Sequence, residues 1–171
     1  MYEILYMKIN KERRKTMKIK MLVMDVDGTL TDGKIYIGDK GEVMKAFDVK
    51  DGYAIAHILP ENNIVPVIIT GRSSSIVKER AKELKITELY QGVSDKLIQL
   101  KIIAEKMQCK SEEIAYIGDD VNDLTCINYC DITGCPNDAV DNVKRTVKYV
   151  CKKKGGRGAV REFVEWILTI E

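Results

Sequence analysis

The segment from Met21 to Asp32 begins as an apolar run and ends in acidic residues. Its first part, 21–24, is typical of a strand that is buried on both faces of a sheet. Asp25 and Asp27 follow, with a glycine and a threonine directly behind them. Two closely spaced carboxylates at a strand end suit a hard cation such as Mg²⁺, which commonly binds one or two carboxylates together with a substrate phosphate. A strand followed by an Asx/Gly turn is the simpler interpretation of the same residues.

The composition predicts a compact domain with a full core, because 45% of the 171 residues are hydrophobic. The net charge of +2, from 28 basic and 26 acidic residues, gives no strong attraction to nucleic acid or to membranes. No apolar run has the length of a membrane span, and no segment has the residue order of a signal peptide. We therefore expect a cytoplasmic protein in which residues 17–171 form a single domain.

Residues 1–16 are predicted to form a basic extension in front of this domain. The extension contains Lys11, Arg13, Arg14 and Lys15 and shows weak periodicity. We expect it to be poorly ordered or loosely packed. A solvated tail explains its charge better than a contact with nucleic acid does.

The cysteines do not have the spacing of a metal site, because no Cys-x-x-Cys pair occurs and His57 is the only histidine. Zinc binding is therefore not expected, and buried free thiols in a reducing compartment are the better account. The five cysteines are Cys109, Cys126, Cys130, Cys135 and Cys151. His57 stands in the apolar run 54–59 and is interpreted as a helix residue rather than a catalyst.

Strand and helix patterns alternate along the chain. The predicted strands are 19–25, 34–37, 42–47, 64–69, 87–91, 113–117 and shorter ones near 131–133 and 147–151, with a hairpin turn at 38–41. The predicted helices are 51–59 with a stop near Pro60, one capped by Ser73 or Ser74, 95–107 capped by Asp95, a short one after 123, one near 139–145 and a last one after 159. This alternation predicts an α/β fold with an open, doubly wound, mainly parallel sheet.

Three polar clusters follow predicted strands directly. They are Asp25 with Asp27, the tripeptide Thr-Gly-Arg at 70–72, and Asp119 with Asp123. Ligands of open parallel sheets bind beyond the carboxyl ends of the strands. We therefore expect the three clusters to converge on one site.

These motifs together resemble the haloacid dehalogenase-like phosphohydrolase superfamily. The resemblance rests on Asp-Val-Asp-Gly-Thr at 25–29, Thr-Gly-Arg at 70–72, Lys96, and Gly-Asp-Asp-Val-Asn-Asp at 118–123. It covers nearly the whole chain from Lys18 onward. It implies a Rossmann-like core and an enzyme that hydrolyses phosphate monoesters with the help of Mg²⁺.

The resemblance also implies the catalytic roles. Asp25 would be the nucleophile that forms an aspartyl-phosphate, and Asp27 would protonate the leaving alcohol and then activate water. Thr70 would offer its hydroxyl to the phosphoryl oxygens, and Lys96 would supply compensating positive charge. A cation is not favoured at a helix N-terminus, so the predicted position of Lys96 suggests an anion opposite it.

The same resemblance implies the metal and phosphate ligands. Mg²⁺ would bind Asp25, the backbone carbonyl of Asp27, and Asp119. Asp123 would either complete the metal shell or position Lys96 through a salt bridge. The residues expected to contact phosphate or substrate are Thr29, Gly71, Arg72, Lys96, Asn122 and Arg157.

A narrower resemblance is carried by five segments. Residues 31–36, 47–52, 70–77, 90–96 and 155–162 are similar to the 3-deoxy-D-manno-octulosonate 8-phosphate phosphatases of lipopolysaccharide biosynthesis. This implies an acidic sugar phosphate as substrate, a β-hairpin flap after the first strand, and no separate cap domain. It also implies a homotetramer with active sites at subunit interfaces, in which the glycine-rich tail reaches an adjacent site.

Three alternatives remain at this stage. A phosphatase for a nine-carbon ulosonate of the sialic-acid type fits the same motifs, and Arg72 and Arg157 favour the eight-carbon substrate only modestly. Arg157 also fits a mobile tail joined by flexible glycines. A signalling receiver domain is disfavoured by the second acid, Asp27, which promotes hydrolysis. A non-catalytic binding or assembly module would be expected to lack catalytic residues, and none is missing.

Overall fold

The computed structural model describes residues 18–170, so the predicted basic extension at 1–16 lies outside the described part of the chain. The strands are β1 (Met21–Met24), β2 (Tyr36–Gly38), β3 (Gly41–Met44), β4 (Val65–Ile69), β5 (Glu88–Tyr90), β6 (Ile114–Ile117), β7 (Ile132–Cys135) and β8 (Tyr149–Val150). Six of them form one sheet, and β2 and β3 form a separate antiparallel hairpin.

The first helix, α1, is continuous over 49–61 and consists of Val49–Tyr53, a widened π-helical turn at Ala54–Ile58, and Leu59–Glu61. The other helices are α2 (Ser75–Glu83), α3 (Lys96–Lys106), α4 (Leu124–Tyr129), α5 (Asp141–Thr146) and α6 (Ala159–Ile170). Short 3₁₀ turns occupy Ser111–Glu113 and Val121–Asp123. The alternation of strands and helices confirms the predicted α/β class.

The six-stranded sheet has the order β5-β4-β1-β6-β7-β8, and every neighbouring pair is parallel. The strand order reverses at β1, which pairs with β4 on one side and with β6 on the other. Val23 lies between Val67 and Tyr116 in this register. The carboxyl ends of β1, β4 and β6 therefore lie side by side, where a doubly wound sheet binds its ligands.

Two apolar layers cover the faces of this sheet. On one face, α1, α2 and α6 contribute buried side chains such as Ile55, Val77 and Phe163. On the other face, α3, α4 and α5 contribute residues such as Leu100 and Val143. All four residues of β1 are fully buried because helices pack above and below the strand.

The cysteines and the histidine lie as the sequence analysis predicts. All five cysteines are free, and only Cys109 is partly exposed. His57 is an exposed residue of the π-helical turn and stacks on Tyr53, with ring centroids 4.8 Å apart. Among residues 18–170, no helix combines the length and apolar character that a membrane crossing requires.

α1 spans 49–61 rather than the predicted 51–59, and it ends one residue beyond Pro60, near which the stop was predicted. The turn before Pro60 is widened, because the N–H of Leu59 bonds to the carbonyl of Ala54, five residues earlier. This wider turn accommodates Pro60, which has no backbone N–H to donate.

The hairpin is also shorter than predicted, since pairing ends at Met44 rather than continuing to residue 47. The next side chain, that of Lys45, contacts Asp27 instead of solvent. Between β1 and α1 the described chain contains this hairpin and no separate cap domain, as predicted.

The last helix is tied to the first one by a buried carboxylate. Asp51 in α1 accepts hydrogen bonds from the backbone N–H groups of Gly158 (3.2 Å) and Arg161 (2.8 Å) at the start of α6. A carboxylate is favourable at a helix N-terminus, where backbone N–H groups lack partners within the helix. This contact fixes the glycine-rich segment 155–158 beside the loop that follows β1.

Candidate active site

Asp25 and Lys96 form the centre of the polar cluster at the carboxyl end of β1. The backbone N–H of Asp25 bonds to the carbonyl of Ile117, which continues the pairing of β1 with β6. Lys96 is the first residue of α3, and Asp95 caps that helix by accepting from the N–H of Ile98 at 3.0 Å. The Lys96 Nζ donates to Asp25 Oδ1 at 2.6 Å. The two side chains are buried, so their charges compensate each other away from water.

Asp123 is the second partner of Lys96, at 2.8 Å. Its side chain is fully buried and also accepts from the Tyr116 hydroxyl at 2.6 Å. The N–H groups of Asp119 and Asp120 donate to its other oxygen at 3.1 and 3.3 Å. Asp123 is therefore fixed from several directions, and the salt bridge with Lys96 that the sequence analysis gave as one of two roles is present.

Asp119 approaches the loop after β1 so closely that Gly28 cannot carry a side chain. A Cβ added to Gly28 would lie 2.0 Å from Asp119 Oδ2, and the φ angle of Gly28 is +100°. The hydroxyl of Thr29 donates to Asp119 Oδ1 at 3.1 Å. Thr29 thus orients a carboxylate, and its predicted contact with phosphate stays a prediction.

The three aspartates of the cluster repel one another. Burial, followed by the charge of Asp123, raises the pKa of Asp25 to about 6. Burial and then the charges of Asp25 and Asp123 raise the pKa of Asp119 to about 8. Carboxyl oxygens of all three lie within 4.8 Å of one another. One lysine does not neutralise this concentration of acidic groups.

The residues present fit a divalent metal ion. Hard cations such as Mg²⁺ prefer carboxylate oxygens, and a bound cation would offset the mutual repulsion of the acidic groups. Asp119 has one oxygen on Thr29, whereas the oxygens of Asp123 are already held by four protein donors. Asp25 and Asp119 are therefore the side chains best placed to bind the metal.

Asp27 lies beside the hairpin rather than beside Lys96. Its Oδ1 pairs with the buried ammonium of Lys45, and its Oδ2 lies 3.7 Å from Arg72 Nε. Arg72 also approaches Glu42 of the hairpin at 3.5 Å, and about half of its side chain is exposed. The sequence motifs predicted Asp27 and Arg72 as site residues, whereas Lys45 and Glu42 belong to no such motif.

The remaining predicted residues of the site include Thr70, Gly71 and Asn122. Thr70 is buried directly after β4 and pairs through its backbone with Tyr90 and Val93. Gly71 follows it in an exposed position, where an added Cβ would meet only the Val93 carbonyl oxygen, at 3.7 Å. Asn122 is exposed on the 3₁₀ turn after β6.

Arg157 is exposed and lines a groove with Asp32, Phe47 and Lys50. No described contact joins it to Asp25 or Lys96 within the chain. The glycines around it are not a loose connection, because Gly156 donates its N–H to the Thr29 carbonyl at 3.1 Å. The substrate contact predicted for Arg157 stays a prediction.

Some residues of the site carry weak sequence signals. Tyr116 reads as one more apolar residue of a buried strand, although its hydroxyl reaches Asp123. Lys45 and Glu42 alternate with apolar residues in a hairpin, as solvated charges also do. Their contacts arise only when the hairpin folds back over the loop after β1.

Comparisons with known proteins agree with this geometry. A family model for haloacid dehalogenase-like hydrolases matches residues 85–163. The 3-deoxy-D-manno-octulosonate 8-phosphate phosphatase KdsC of Yersinia pestis is 42% identical over 153 residues, which are 90% of this chain and 81% of that protein.

Two solved structures are similar over most of their length. The structure of the Yersinia pestis phosphatase has a TM-score of 0.87 at 42% identity, covering 92% of this chain and 84% of that one. The phosphatase from Moraxella catarrhalis, solved with magnesium, phosphate and KDO, has a TM-score of 0.86 at 39% identity, covering 94% and 92%. The chain belongs to the haloacid dehalogenase-like hydrolases and, among them, to the family of 3-deoxy-D-manno-octulosonate 8-phosphate phosphatases.

Proposed function

We propose that this chain hydrolyses 3-deoxy-D-manno-octulosonate 8-phosphate to the free sugar acid and inorganic phosphate, with Mg²⁺ as cofactor. The buried Lys96 between Asp25 and Asp123 carries the proposal, because it places a nucleophile and a compensating cation at the ligand-binding edge of the sheet. The relatives that are similar over most of the chain carry this activity in their names.

In the proposed reaction, an oxygen of Asp25 attacks the phosphorus atom. The bond between phosphorus and the sugar oxygen breaks, and Asp27 gives its proton to that oxygen as the sugar leaves. Asp27 then removes a proton from a water molecule, which attacks the phosphorus of the aspartyl-phosphate. Inorganic phosphate leaves, and the Asp25 carboxylate is regenerated.

Lys96 holds the nucleophile in place and supplies positive charge to a phosphoryl group that carries two negative charges. Asp123 fixes the ammonium group from the opposite side at 2.8 Å. Tyr116 in turn holds Asp123, so the orientation of Lys96 depends on a chain of buried hydrogen bonds. We assign Asp123 to this positioning role in preference to a place in the metal shell.

Asp25, Asp119 and the backbone carbonyl of Asp27 would hold the metal. When bound, Mg²⁺ supplies positive charge that reduces repulsion between the attacking carboxylate and the phosphoryl oxygens. Thr29 orients Asp119 for this purpose through its hydroxyl. Because Gly28 has no side chain, Asp119 can lie close to the loop that carries Asp25 and Asp27.

The phosphoryl oxygens would meet Thr70 and Gly71, which directly follow β4, the neighbour of β1 in the sheet. The Thr70 hydroxyl and the accessible N–H of Gly71 are suitable donors, and Asn122 and Thr29 remain candidates for the same group. Arg72 extends from this position toward the hairpin, where a planar guanidinium suits the carboxylate of a sugar acid. Arg157 is a further candidate for that carboxylate.

The proposal includes assembly into a homotetramer with active sites at subunit interfaces. Its support is the exposed apolar surface of the hairpin, where Ile37 is 66% exposed and Val43 58% exposed. Light scattering of the purified protein tests it. A cytoplasmic location completes the proposal, and the unpaired cysteines support it.

The test is Mg²⁺-dependent release of phosphate from a panel of compounds. The panel contains the eight-carbon ulosonate phosphate, nine-carbon ulosonate phosphates, hexose phosphates and a phosphorylated oligonucleotide. Asp25→Asn removes the nucleophile at nearly constant volume, and we expect it to lower the rate at least about a thousandfold. Asp39→Asn, an exposed change at the hairpin turn, is the matched control.

Selective turnover of the eight-carbon compound, lost only in Asp25→Asn, would support the proposal. A preference for nine-carbon compounds would keep the mechanism and change the substrate. No turnover by the folded protein would overturn the enzymatic proposal in favour of a binding or assembly module.

A further inference from the structure

The side chain of Lys45 is almost completely buried, although it follows an exposed hairpin. Only 1% of it is exposed, whereas the preceding residues Val43 and Met44 are 58% and 52% exposed. Its ammonium group pairs with Asp27 on one side and with Glu42, 2.9 Å away, on the other. Burying an ammonium group is unfavourable unless it is paired, so these contacts decide where the lysine lies.

Glu42 anchors the hairpin to a second part of the site. Its Oε2 accepts a hydrogen bond from the hydroxyl of Ser74, which also caps α2 by accepting from the N–H of Val77. α2 begins just after the Thr-Gly pair at 70–71. The hairpin thus joins the loop after β1 to the N-terminus of α2 through one acidic and one basic residue.

The pairing with Lys45 involves only one oxygen of Asp27. The ammonium group lies on Oδ1, while Oδ2 is 3.7 Å from the nearest nitrogen of Arg72, beyond hydrogen-bond distance. An acid that protonates a leaving group needs one oxygen free to hold the proton and a fixed orientation toward the substrate. Lys45 fixes the orientation and leaves the second oxygen without a hydrogen bond from the described side chains.

We propose that Lys45 is a positioning residue that holds Asp27 in the orientation needed to protonate the leaving alcohol, and that it does so only when the hairpin lies over the site. This inference rests on the proposed function, since it assigns Asp27 to proton transfer. It adds a role for the hairpin within its own subunit, separate from any role in assembly.

The test compares two leaving groups in a single turnover. An alcohol leaves poorly without a proton, whereas 4-nitrophenol leaves readily as its anion. Release of the sugar from the eight-carbon phosphate and of nitrophenol from 4-nitrophenyl phosphate are measured with enzyme in excess over substrate and at a concentration that saturates binding, which isolates the first chemical step. The variants are Lys45→Met, which removes the charge, Lys45→Arg, which keeps it, and the control Lys101→Met on the exposed face of α3.

We expect Lys45→Met to slow release of the sugar by about a hundredfold and to change release of nitrophenol far less. Lys45→Arg should recover much of the loss, and Lys101→Met should match the unmodified protein. Circular dichroism and thermal melting show whether each variant is folded. If Lys45→Met does not fold, Lys45→Gln takes its place, because it also removes the charge but keeps a polar group for Asp27 and Glu42, and it should change the ratio of the two rates in the same direction.

Equal losses with both substrates, or no loss with either, would overturn the inference and leave the proposed function intact. An unmodified protein that releases neither product would overturn both. A raised KM for the sugar with unchanged single-turnover release would assign Lys45 to substrate binding and would also contradict the inference.

Discussion

Lys96 lies 2.6 Å from Asp25, a residue 71 positions earlier in the chain, and both side chains are buried. Lys96 comes from the start of α3 and Asp25 from the end of β1. A lysine in the first turn of a helix is normally unfavourable there. The carboxylates opposite it offset this cost, so the position of the cation is determined by the site and not by the helix.

Replacing Lys96 by methionine should destabilise the fold as well as abolish activity. The change leaves buried carboxylates without their cation, and we expect the free energy of unfolding in EDTA to fall by about 3–5 kcal/mol. Urea titration measures this. Lys101→Met, on the exposed face of α3, should cost less than about 1 kcal/mol.

The double variant Lys96→Met with Asp123→Asn provides the internal check. Removing one of the uncompensated charges should make the double variant more stable than Lys96→Met alone. Strictly additive losses would show that the two side chains are not coupled.

Mg²⁺ should stabilise the protein against heat, because it binds the folded acidic cluster and not the unfolded chain. At about a hundredfold excess over its dissociation constant we expect the melting temperature to rise by about 5–10 °C. Differential scanning calorimetry in EDTA and in Mg²⁺, with NaCl at matched ionic strength, measures the shift. In Asp119→Asn the shift should largely disappear; a full shift in that variant would place the metal elsewhere.

Gly155→Ala should be strongly destabilising, because the glycine-rich segment packs against the loop after β1. An added Cβ would lie 1.9 Å from the carbonyl oxygen of Gly28. We expect a loss of about 3 kcal/mol or more in the free energy of unfolding, together with a loss of activity. The measurement is chemical denaturation beside a phosphatase assay.

Gly41→Ala is the matched control for a glycine change. Gly41 has a φ angle of +106°, but nothing lies within 4 Å of an added Cβ. Gly41→Ala should lower the free energy of unfolding by the backbone strain alone, about 1–2 kcal/mol. Equal losses in the free energy of unfolding for Gly155→Ala and Gly41→Ala would mean that the segment around Gly155 can shift without disturbing the loop after β1.

Asp51 should make stability depend on pH in a defined direction. Burial is the main cause that raises the pKa of Asp51 from 3.8 to about 6 in the folded protein. Between these values the folded state binds more protons than the unfolded state, so this group adds stability as the pH falls from about 6 toward about 4. The contribution reaches about 3 kcal/mol.

The comparison with Asp51→Asn isolates this effect from the other acidic groups. Relative to the variant, the unmodified protein should gain stability as the pH is lowered from 7 to 4, measured by urea titration at each pH. A difference that shrinks over this range would mean that the hydrogen bonds from Gly158 and Arg161 outweigh burial. In that case the folded pKa would lie below the unfolded one.

The sequence predicted the sheet because its signals are local. An apolar run before Asp25, a similar run before Thr70, and Asp95 and Ser74 as helix caps all act within a few residues. An error occurred where a distant contact competes with a local rule. Pairing in the hairpin stopped where Lys45 bends toward Asp27.

The residues of the candidate site also fall into those that the sequence predicted and those whose contacts it did not predict. Asp25, Asp27 and Asp119 could be predicted to lie together because their motifs follow strands, and parallel strands bring their carboxyl ends to one edge. Lys96 could be predicted only from the family resemblance, because it begins a helix. The contacts of Tyr116, Lys45 and Asp51 could not, since each depends on which segment packs against it. The sequence alone determined which chemical groups meet at the edge of the sheet. Only the tertiary structure decided their partners, because burial makes an unpaired charge costly and so selects neighbours from distant parts of the chain.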